Sequence, residues 1–191
     1  MKIEKEDRFP FRKTVSLTDA GKAFAAELLS WEDTEKSIKL QPTDVMLLVI
    51  MYAVGEEVKG ATKLEKLPFL LEKECGVKVD HLFKYFPYLH GPYSPKVMEA
   101  AYRLAYFKLI EMEERVVGVG TNEEHTMRVY RLTPKGRDLA VKIFKSLPDE
   151  HQKALLRLRD FNRLPLRELL KYVYTKYPEV KKYTKLDEFL Y

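Results

Sequence analysis

The chain has 191 residues, of which 46% are hydrophobic and 12% are aromatic, with 34 Lys and Arg against 29 Asp and Glu. This length predicts one domain or a core domain with appendages, and the apolar content excludes an intrinsically disordered chain. The single cysteine, Cys75, excludes a disulfide framework and a multi-cysteine zinc site. The longest apolar run, residues 45–54, is about half of the ~20 residues that a membrane span needs.

The N-terminal segment MKIEKEDRFPFRK is charged and has no apolar region of the kind that a signal peptide carries, so we expect a cytoplasmic protein. Asn and Gln are rare whereas Lys and Glu are abundant, a pattern typical of proteins from hot environments. The net charge of +5 arises mainly from residues 94–108 and 134–191. This excess permits nucleic-acid binding, and an ordinary solvated surface of mixed charge explains it equally well.

The first half of the chain predicts one strand followed by three helices. Alternating apolar residues predict a strand over 9–17, and an apolar stripe predicts a helix over 19–37. Residues 44–54 follow as a buried helix. The sequence Thr62–Glu65 has the pattern of a capping box and predicts the start of the third helix, in which Pro68 produces a kink or lies in the first turn.

An aromatic segment separates these helices from the next one. Residues 76–93 predict a short strand or loop that ends in a turn at Gly91-Pro92. Ser94, followed by Pro95, predicts the N-cap of a helix over 94–107.

The remainder of the chain predicts a hairpin and three further helices. Alternation over residues 109–117 and 127–132 indicates the two strands, with the tip of the hairpin at 118–122. The predicted helices cover residues 134–146, 149–163 and 165–177.

One strand-to-helix corner occurs twice in the sequence. Residues 15–29 and 130–144 share a strand, the dipeptide Leu-Thr, a glycine, a basic residue and an amphipathic helix. In each copy the threonine would cap the helix, and the glycine three residues later would allow the helix to pack closely against the strand. These residues are Thr18 and Gly21 in the first copy and Thr133 and Gly136 in the second. Chance convergence on a favourable corner is the other interpretation.

The order of predicted elements from residue 44 is helix, extended link, helix, insertion, helix and hairpin. This is the order of a winged helix-turn-helix, in which the third helix enters the DNA groove and the hairpin is the wing. The sequence therefore predicts a mainly α fold with a small β-hairpin. Its parts would be an N-terminal strand–helix unit over 1–41, a winged helix-turn-helix-like core over 42–147 and a C-terminal helical extension over 148–191.

Four segments of the chain carry a family resemblance. They are residues 62–70 (TKLEKLPFL), 91–94 (GPYS), 130–136 (YRLTPKG) and 166–178 (LRELLKYVYTKYP). Together they resemble the YwgA-type prokaryotic proteins and, more distantly, the Panacea antitoxin domain. The resemblance implies a helical, winged-helix-like fold with a regulatory or antitoxin-like role, and it brings no catalytic residues. Pro68 and the N-terminal unit over 1–41 depart from the family pattern.

Motifs for catalysis and metal binding are missing from the sequence. There is no HExxH, GxSxG or P-loop motif, and the glycines near residue 118 do not complete a GxGxxG motif. The four histidines lack the spacing of metal ligands. We therefore expect no catalytic residues, no metal site, no cofactor and no enzymatic activity.

The first functional hypothesis is a winged-helix transcriptional regulator that binds double-stranded DNA as a homodimer. The polar face of helix 94–107 would contact DNA through Lys96, Tyr102, Arg103 and Tyr106, with Arg103 able to reach a guanine edge. Further phosphate contacts would come from Lys135, Arg137, Lys153, Arg157, Arg159 and Arg163. An ion pair between Glu99 and Arg103 would explain the same helix face without DNA, and the acidic residues of the hairpin argue against DNA.

The second hypothesis is a protein-interaction module, antitoxin-like or adaptor-like, on the same scaffold. Aromatic residues 83–93 favour it because aromatic side chains are enriched in protein interfaces. Tyr88, His90 and Tyr93 would then bind a protein partner such as a toxin. The same rings can instead pack as core between helices, and neither hypothesis involves a membrane.

Overall fold

The computed structural model describes residues 39–88, 91–117 and 125–181. These residues are mostly helical with a small antiparallel sheet, which confirms the predicted fold class at this level. The strand predicted over 9–17, the helix over 19–37 and the hairpin tip lie outside the described residues.

The described residues contain seven α-helices, one 3-10 turn and five strands. The helices are α1 (Pro42–Ala53), α2 (Ala61–Cys75), α3 (Asp80–Phe83), α4 (Pro95–Tyr106), α5 (Pro134–Ser146), α6 (Asp149–Arg163) and α7 (Leu166–Lys176), and the 3-10 turn spans Pro178–Lys181. The strands are β1 (Glu57–Lys59), β2 (Phe86–Tyr88), β3 (Gly91–Tyr93), β4 (Ile110–Val117) and β5 (His125–Leu132).

The first two helices begin at other residues than the sequence predicts. Helix α1 begins at Pro42, two residues earlier than predicted, because proline is tolerated at the first helical position. The backbone N–H of Gln41 donates to the Asp44 carboxylate over 2.9 Å and stabilises this start. The predicted capping box at Thr62–Glu65 is wrong, since α2 already begins at Ala61. Pro68 lies inside α2, where it removes one helical N–H donor, and the helix continues past it.

The main sheet has the strand order β1–β5–β4 and is antiparallel. Strands β4 and β5 pair in the predicted hairpin, with Met112 opposite Tyr130. Strand β1 pairs with the other side of β5, with Val58 opposite Tyr130. Strands β2 and β3 form a separate two-stranded sheet, and the predicted turn at Gly91-Pro92 is wrong because both residues lie in β3.

Helix α2 lies at the centre of the core. Its residues 63–71 are all buried. One buried cation on this helix, Lys63, donates to the carbonyl oxygens of Asn162 and Leu164 over 2.8 and 2.7 Å. These carbonyls lie at the C-terminal end of α6, where helical acceptors lack donors, so Lys63 caps α6 and fixes it to the core.

The second copy of the repeated corner has the predicted strand, threonine cap and helix, but its glycine packs against the residue before β4 instead of the strand of the corner. The Gly136 amide donates to the Thr133 hydroxyl over 3.0 Å, so Thr133 caps α5. A Cβ atom at Gly136 would lie 1.8 Å from the carbonyl oxygen of Leu109, immediately before β4. Only glycine allows this approach, which joins the start of α5 to the start of the hairpin. The first copy lies outside the described residues.

No helix in the described residues, 39–88, 91–117 and 125–181, is both long enough and apolar enough to span a bilayer.

Candidate functional site

Helix α4 exposes two tyrosines and turns its arginine toward the core. Tyr102 is 53% exposed and Tyr106 is 75% exposed. The Arg103 guanidinium donates from Nε and Nη2 to Oδ1 of Asp44 over 3.0 and 2.9 Å, and from Nη2 to the Thr43 hydroxyl over 3.1 Å. Asp44 is fully buried in α1. The predicted pair with Glu99 is also present but longer, at 3.9 Å. Arg103 therefore binds α4 to α1.

The arginines of the β4–β5 hairpin are neutralised by neighbouring carboxylates. Arg131 lies 2.6 Å from Glu57 and 2.6 Å from Glu113. Arg115 makes two hydrogen bonds to the same Glu113 carboxylate, over 2.9 and 3.0 Å. These side-chain hydrogen bonds from Arg115 and Arg131 lower the pKa of Glu113 to about 2.

The remaining hairpin arginine connects the sheet to α4. Arg128 lies 2.6 Å from the Glu114 carboxylate and donates to the Tyr102 hydroxyl over 3.1 Å. The surface formed by α4 and by both sides of the β4–β5 hairpin, which we call the α4–wing face, thus has its arginines in ion pairs within the chain.

The other predicted phosphate contacts lie on α5 and α6, and they differ in their partners. Arg137 pairs with Glu56 at 2.9 Å, Arg159 donates to the Ala53 carbonyl over 3.2 Å, and Arg163 pairs with Asp160 at 3.8 Å. Among the cations predicted to contact DNA, Lys96, Lys135, Lys153 and Arg157 have no carboxylate within 4.0 Å in the described part of the chain.

An exposed aromatic cluster lies on the β2–β3 sheet. Phe86 is 44% exposed and Tyr88 is 47% exposed, and Tyr93 packs against both from the paired strand. The ring centroids are 5.0 Å apart for Tyr88–Tyr93 and 5.5 Å for Phe86–Tyr93. We call these three residues the aromatic hairpin. The structure brings together the predicted Tyr88 and Tyr93, while His90 lies outside the described residues.

Prolines determine how this small sheet is built. Pro87 and Pro92 lie directly opposite each other, and neither has an N–H to donate. The carbonyl of Pro92 instead accepts a hydrogen bond from Nζ of Lys66 on α2, over 2.8 Å. Ser94 is the N-cap residue of α4, but its hydroxyl donates to the Phe83 carbonyl. Buried polar contacts therefore fix the base of the aromatic hairpin.

Lys66 is a fully buried lysine below this cluster. Its Nζ lies 3.7 Å from a carboxylate oxygen of Glu65, which is also buried. Burial lowers the pKa of Lys66 to about 8 and raises the pKa of Glu65, and the attraction between the two groups opposes both shifts. Both residues, together with Tyr88 and Tyr93, line a cavity of about 140 Å³.

A larger groove of about 340 Å³ lies on the other side of the same hairpin. Phe69 of α2, together with Tyr85 and Phe86, forms its aromatic part, and Val180 of the 3-10 turn lines it as well. Phe69 packs edge-to-face on Tyr85, with centroids 5.5 Å apart. The polar lining residues of the groove are Glu72, Lys73, Asp80 and Glu179.

Phe86 belongs to the aromatic segment 83–93 that the sequence singles out, but it is not among the predicted partner-binding residues Tyr88, His90 and Tyr93, and the sequence predicts no role for the polar residues of this groove. The spacing of Phe86 and Tyr88 was an available signal, since residues two apart lie on one face of a strand. No local signal brings residues 178–181 next to β2, because their positions are about 90 residues apart in the chain.

Comparisons with protein-family models, with curated proteins and with solved structures found no match to this chain. The resemblance to the YwgA-type proteins stays a prediction. Among the residues that the structure describes, no group of three or more His, Cys, Asp or Glu is placed to hold a metal ion.

Proposed function

We propose that this chain is a protein-interaction module that binds a protein partner through the aromatic hairpin. The observation that carries the proposal is the exposure of Phe86 and Tyr88 beside Tyr93 on a sheet whose base is fixed by buried hydrogen bonds. Rigid, exposed aromatic rings provide contact area at low entropic cost, and such residues dominate the binding energy of many interfaces.

A winged-helix-like scaffold is the architecture that we propose for this module. The order α1, β1, α2, α4, β4 and β5 supports it, as does the pairing of β1 with the far side of β5. In this interpretation α3 and the β2–β3 sheet are an insertion between the second and third helices. The insertion adds a binding surface that does not use the third helix.

The charges of the α4–wing face support protein binding over DNA binding. An arginine that reads a base must be free to make a bidentate contact in the groove. Arg103 is hydrogen-bonded to the buried Asp44, so releasing it would leave a carboxylate buried without its partner. The hairpin arginines Arg115, Arg128 and Arg131 have carboxylates 2.9, 2.6 and 2.6 Å away. Each of them would also lose an ion pair by turning to DNA.

The proposal is tested by photo-crosslinking from position 88. A photoreactive phenylalanine analogue replaces Tyr88 in the full chain within the native host, the crosslinked protein is identified, and the purified pair is titrated by calorimetry. We expect Phe86→Ala and Tyr88→Ala each to weaken binding by about tenfold or more. Tyr106→Ala is the matched control because it removes an even more exposed ring from α4. Equal affinity of all three variants would refute this docking surface.

DNA binding is the second candidate, and one observation favours it. Lys153 and Arg157, spaced for one face of α6, are exposed and have no carboxylate within 4.0 Å among the described residues. A gel shift on the protein's own promoter DNA across salt concentrations tests this candidate. Binding with a steep salt dependence that Arg157→Ala reduces by about one phosphate contact would support it.

A further inference from the structure

The groove between the aromatic hairpin and the 3-10 turn has the size and lining of a peptide-binding site. Its volume of about 340 Å³ lies within the range of ligand sites. The walls combine aromatic rings with two proline rings, Pro87 and Pro92. Apolar planar rings of this kind bind apolar side chains.

Strand addition is not available to a partner at this site. A peptide that extends a sheet needs free N–H and C=O groups along an edge strand. Pro87 in the middle of β2 has no N–H, and the carbonyl of Pro92 in β3 is already bonded to Lys66. A bound segment must therefore contact the groove through its side chains. Its backbone would not pair with a strand of this sheet.

The polar lining of the groove is acidic. Three carboxylates, those of Glu72, Asp80 and Glu179, face one ammonium group, that of Lys73. Glu72 is held in place because its carboxylate accepts hydrogen bonds from the amides of Val79 and Asp80. The charge of the groove thus favours a cationic ligand.

We propose that this groove binds a proline-containing segment of the partner in polyproline II conformation, with Lys or Arg beside the prolines. The inference rests on the proposed function and specifies its partner. A polyproline II segment has no internal hydrogen bonds and is stiff before binding, so it loses little entropy. Aromatic-lined grooves recognise such segments through the proline rings, and the carboxylates supply the contact to the basic residue.

Fluorescence anisotropy with three labelled peptides tests the inference on the full chain. The first peptide is hexaproline with an arginine at each end, the second replaces every proline by glycine, and the third replaces both arginines by glutamate. We expect the first to bind at least about tenfold more tightly than the other two, with an affinity that falls as salt rises.

Two variants locate the binding. Phe86→Ala should lower the affinity for the first peptide by about tenfold. Glu179→Gln should lower that affinity less and should reduce its salt dependence. Glu150→Gln, which removes an exposed carboxylate from α6, is the matched control and should leave binding unchanged.

Equal binding of the proline and glycine peptides, or unchanged binding by both Phe86→Ala and Glu179→Gln, would overturn the inference. Failure of all three peptides, while the crosslinked partner still depends on Tyr88, would overturn it and leave the proposed function standing. Loss of the Tyr88 dependence as well would refute both.

Discussion

The α4–wing face and the aromatic hairpin are both exposed, yet their side chains are used in opposite ways. On the α4–wing face the charged groups bond to one another, as Arg131 does with Glu113 over 2.6 Å. On the aromatic hairpin the polar contacts lie underneath, at Lys66 and Ser94, and the apolar rings face outward. The charged groups of the first face are thus paired within the chain, whereas the aromatic rings of the second remain exposed to solvent.

This difference shows why a count of charges is a weak indicator of function. An arginine contributes the same positive charge to a sequence whether it is free or paired, but only a free one can neutralise a phosphate without first losing a partner. Exposed rings on a rigid base have no such competing partner.

The largest effect is expected at Asp44, which holds Arg103 on the α4–wing face. Asp44→Ala removes a buried carboxylate and the N-terminal hydrogen bond of α1, so it should lower the free energy of unfolding by about 3 to 5 kcal/mol. Glu99→Ala removes the longer, exposed partner of the same arginine and should cost less than about 0.5 kcal/mol. Urea unfolding measures both. Similar costs for the two variants would mean that Arg103 is not held by Asp44.

The contact between Arg103 and Asp44 also shows where sequence reasoning fails. Helix α4 and its starting residues Ser94 and Pro95 follow from the sequence, because capping and proline preferences are local. The direction of the Arg103 side chain depends on a residue 59 positions away. The position of Arg103 on the polar face of the helix predicts an exposed side chain, but nothing near it in the sequence identifies Asp44 as its partner.

The same distinction holds for the other elements. Strands β4 and β5 and helices α5 to α7 follow from period and capping signals within each segment. Strand β1 was expected only as an extended link, since three residues carry too little pattern to indicate pairing with β5. The groove joins α2, β2 and the 3-10 turn, so no window of sequence contains it.

A smaller effect is expected at Gly136, where the hairpin meets α5. Gly136→Ala places a methyl group 1.8 Å from the Leu109 carbonyl, so the backbone of the corner must shift. We expect the free energy of unfolding to fall by about 3 kcal/mol, which is at the upper end of the cost of overpacking. Asp138→Ala, an exposed position in the same helix, should change the stability by less than about 0.5 kcal/mol. Thermal unfolding of both variants checks this, and a stable Gly136→Ala would show that the close approach is not required.

Lys66 provides a pH-dependent test of the base of the aromatic hairpin. Because its folded pKa of about 8 lies below the ordinary lysine value of 10.5, the unfolded chain binds more protons between these values. Stability should therefore rise with pH across this window, by about 2 kcal/mol from about pH 7 to about pH 9.5. Lys66→Met should remove this rise.

The measurement is the difference in unfolding free energy between the parent chain and Lys66→Met at each pH. Lys63→Met is the comparison variant, since burial also lowers the pKa of that lysine, but less strongly. An identical pH dependence of the parent chain and Lys66→Met would show that the Lys66 ammonium is not destabilised by burial.

The smallest effect is expected at Glu113, where the ion pairs of the α4–wing face are exposed to solvent. Hydrogen bonds from Arg115 and Arg131 lower its folded pKa to about 2, below the ordinary glutamate value of 4.5. The unfolded chain therefore takes up this proton first, and the stabilisation present above pH 4.5 is lost as pH falls toward 2. Because solvent and salt screen exposed pairs, the pKa shift in solution and the stability change linked to it should both be small compared with those of a buried pair. Carboxyl NMR titration should show a lowered pKa in the parent chain, a higher value in Arg131→Gln and a higher value in concentrated salt. A Glu113 that titrates in its ordinary range in the parent chain would mean that it does not hold Arg115 and Arg131, and it would restore Arg115, which has no other carboxylate partner among the described residues, as a candidate for contacting phosphate.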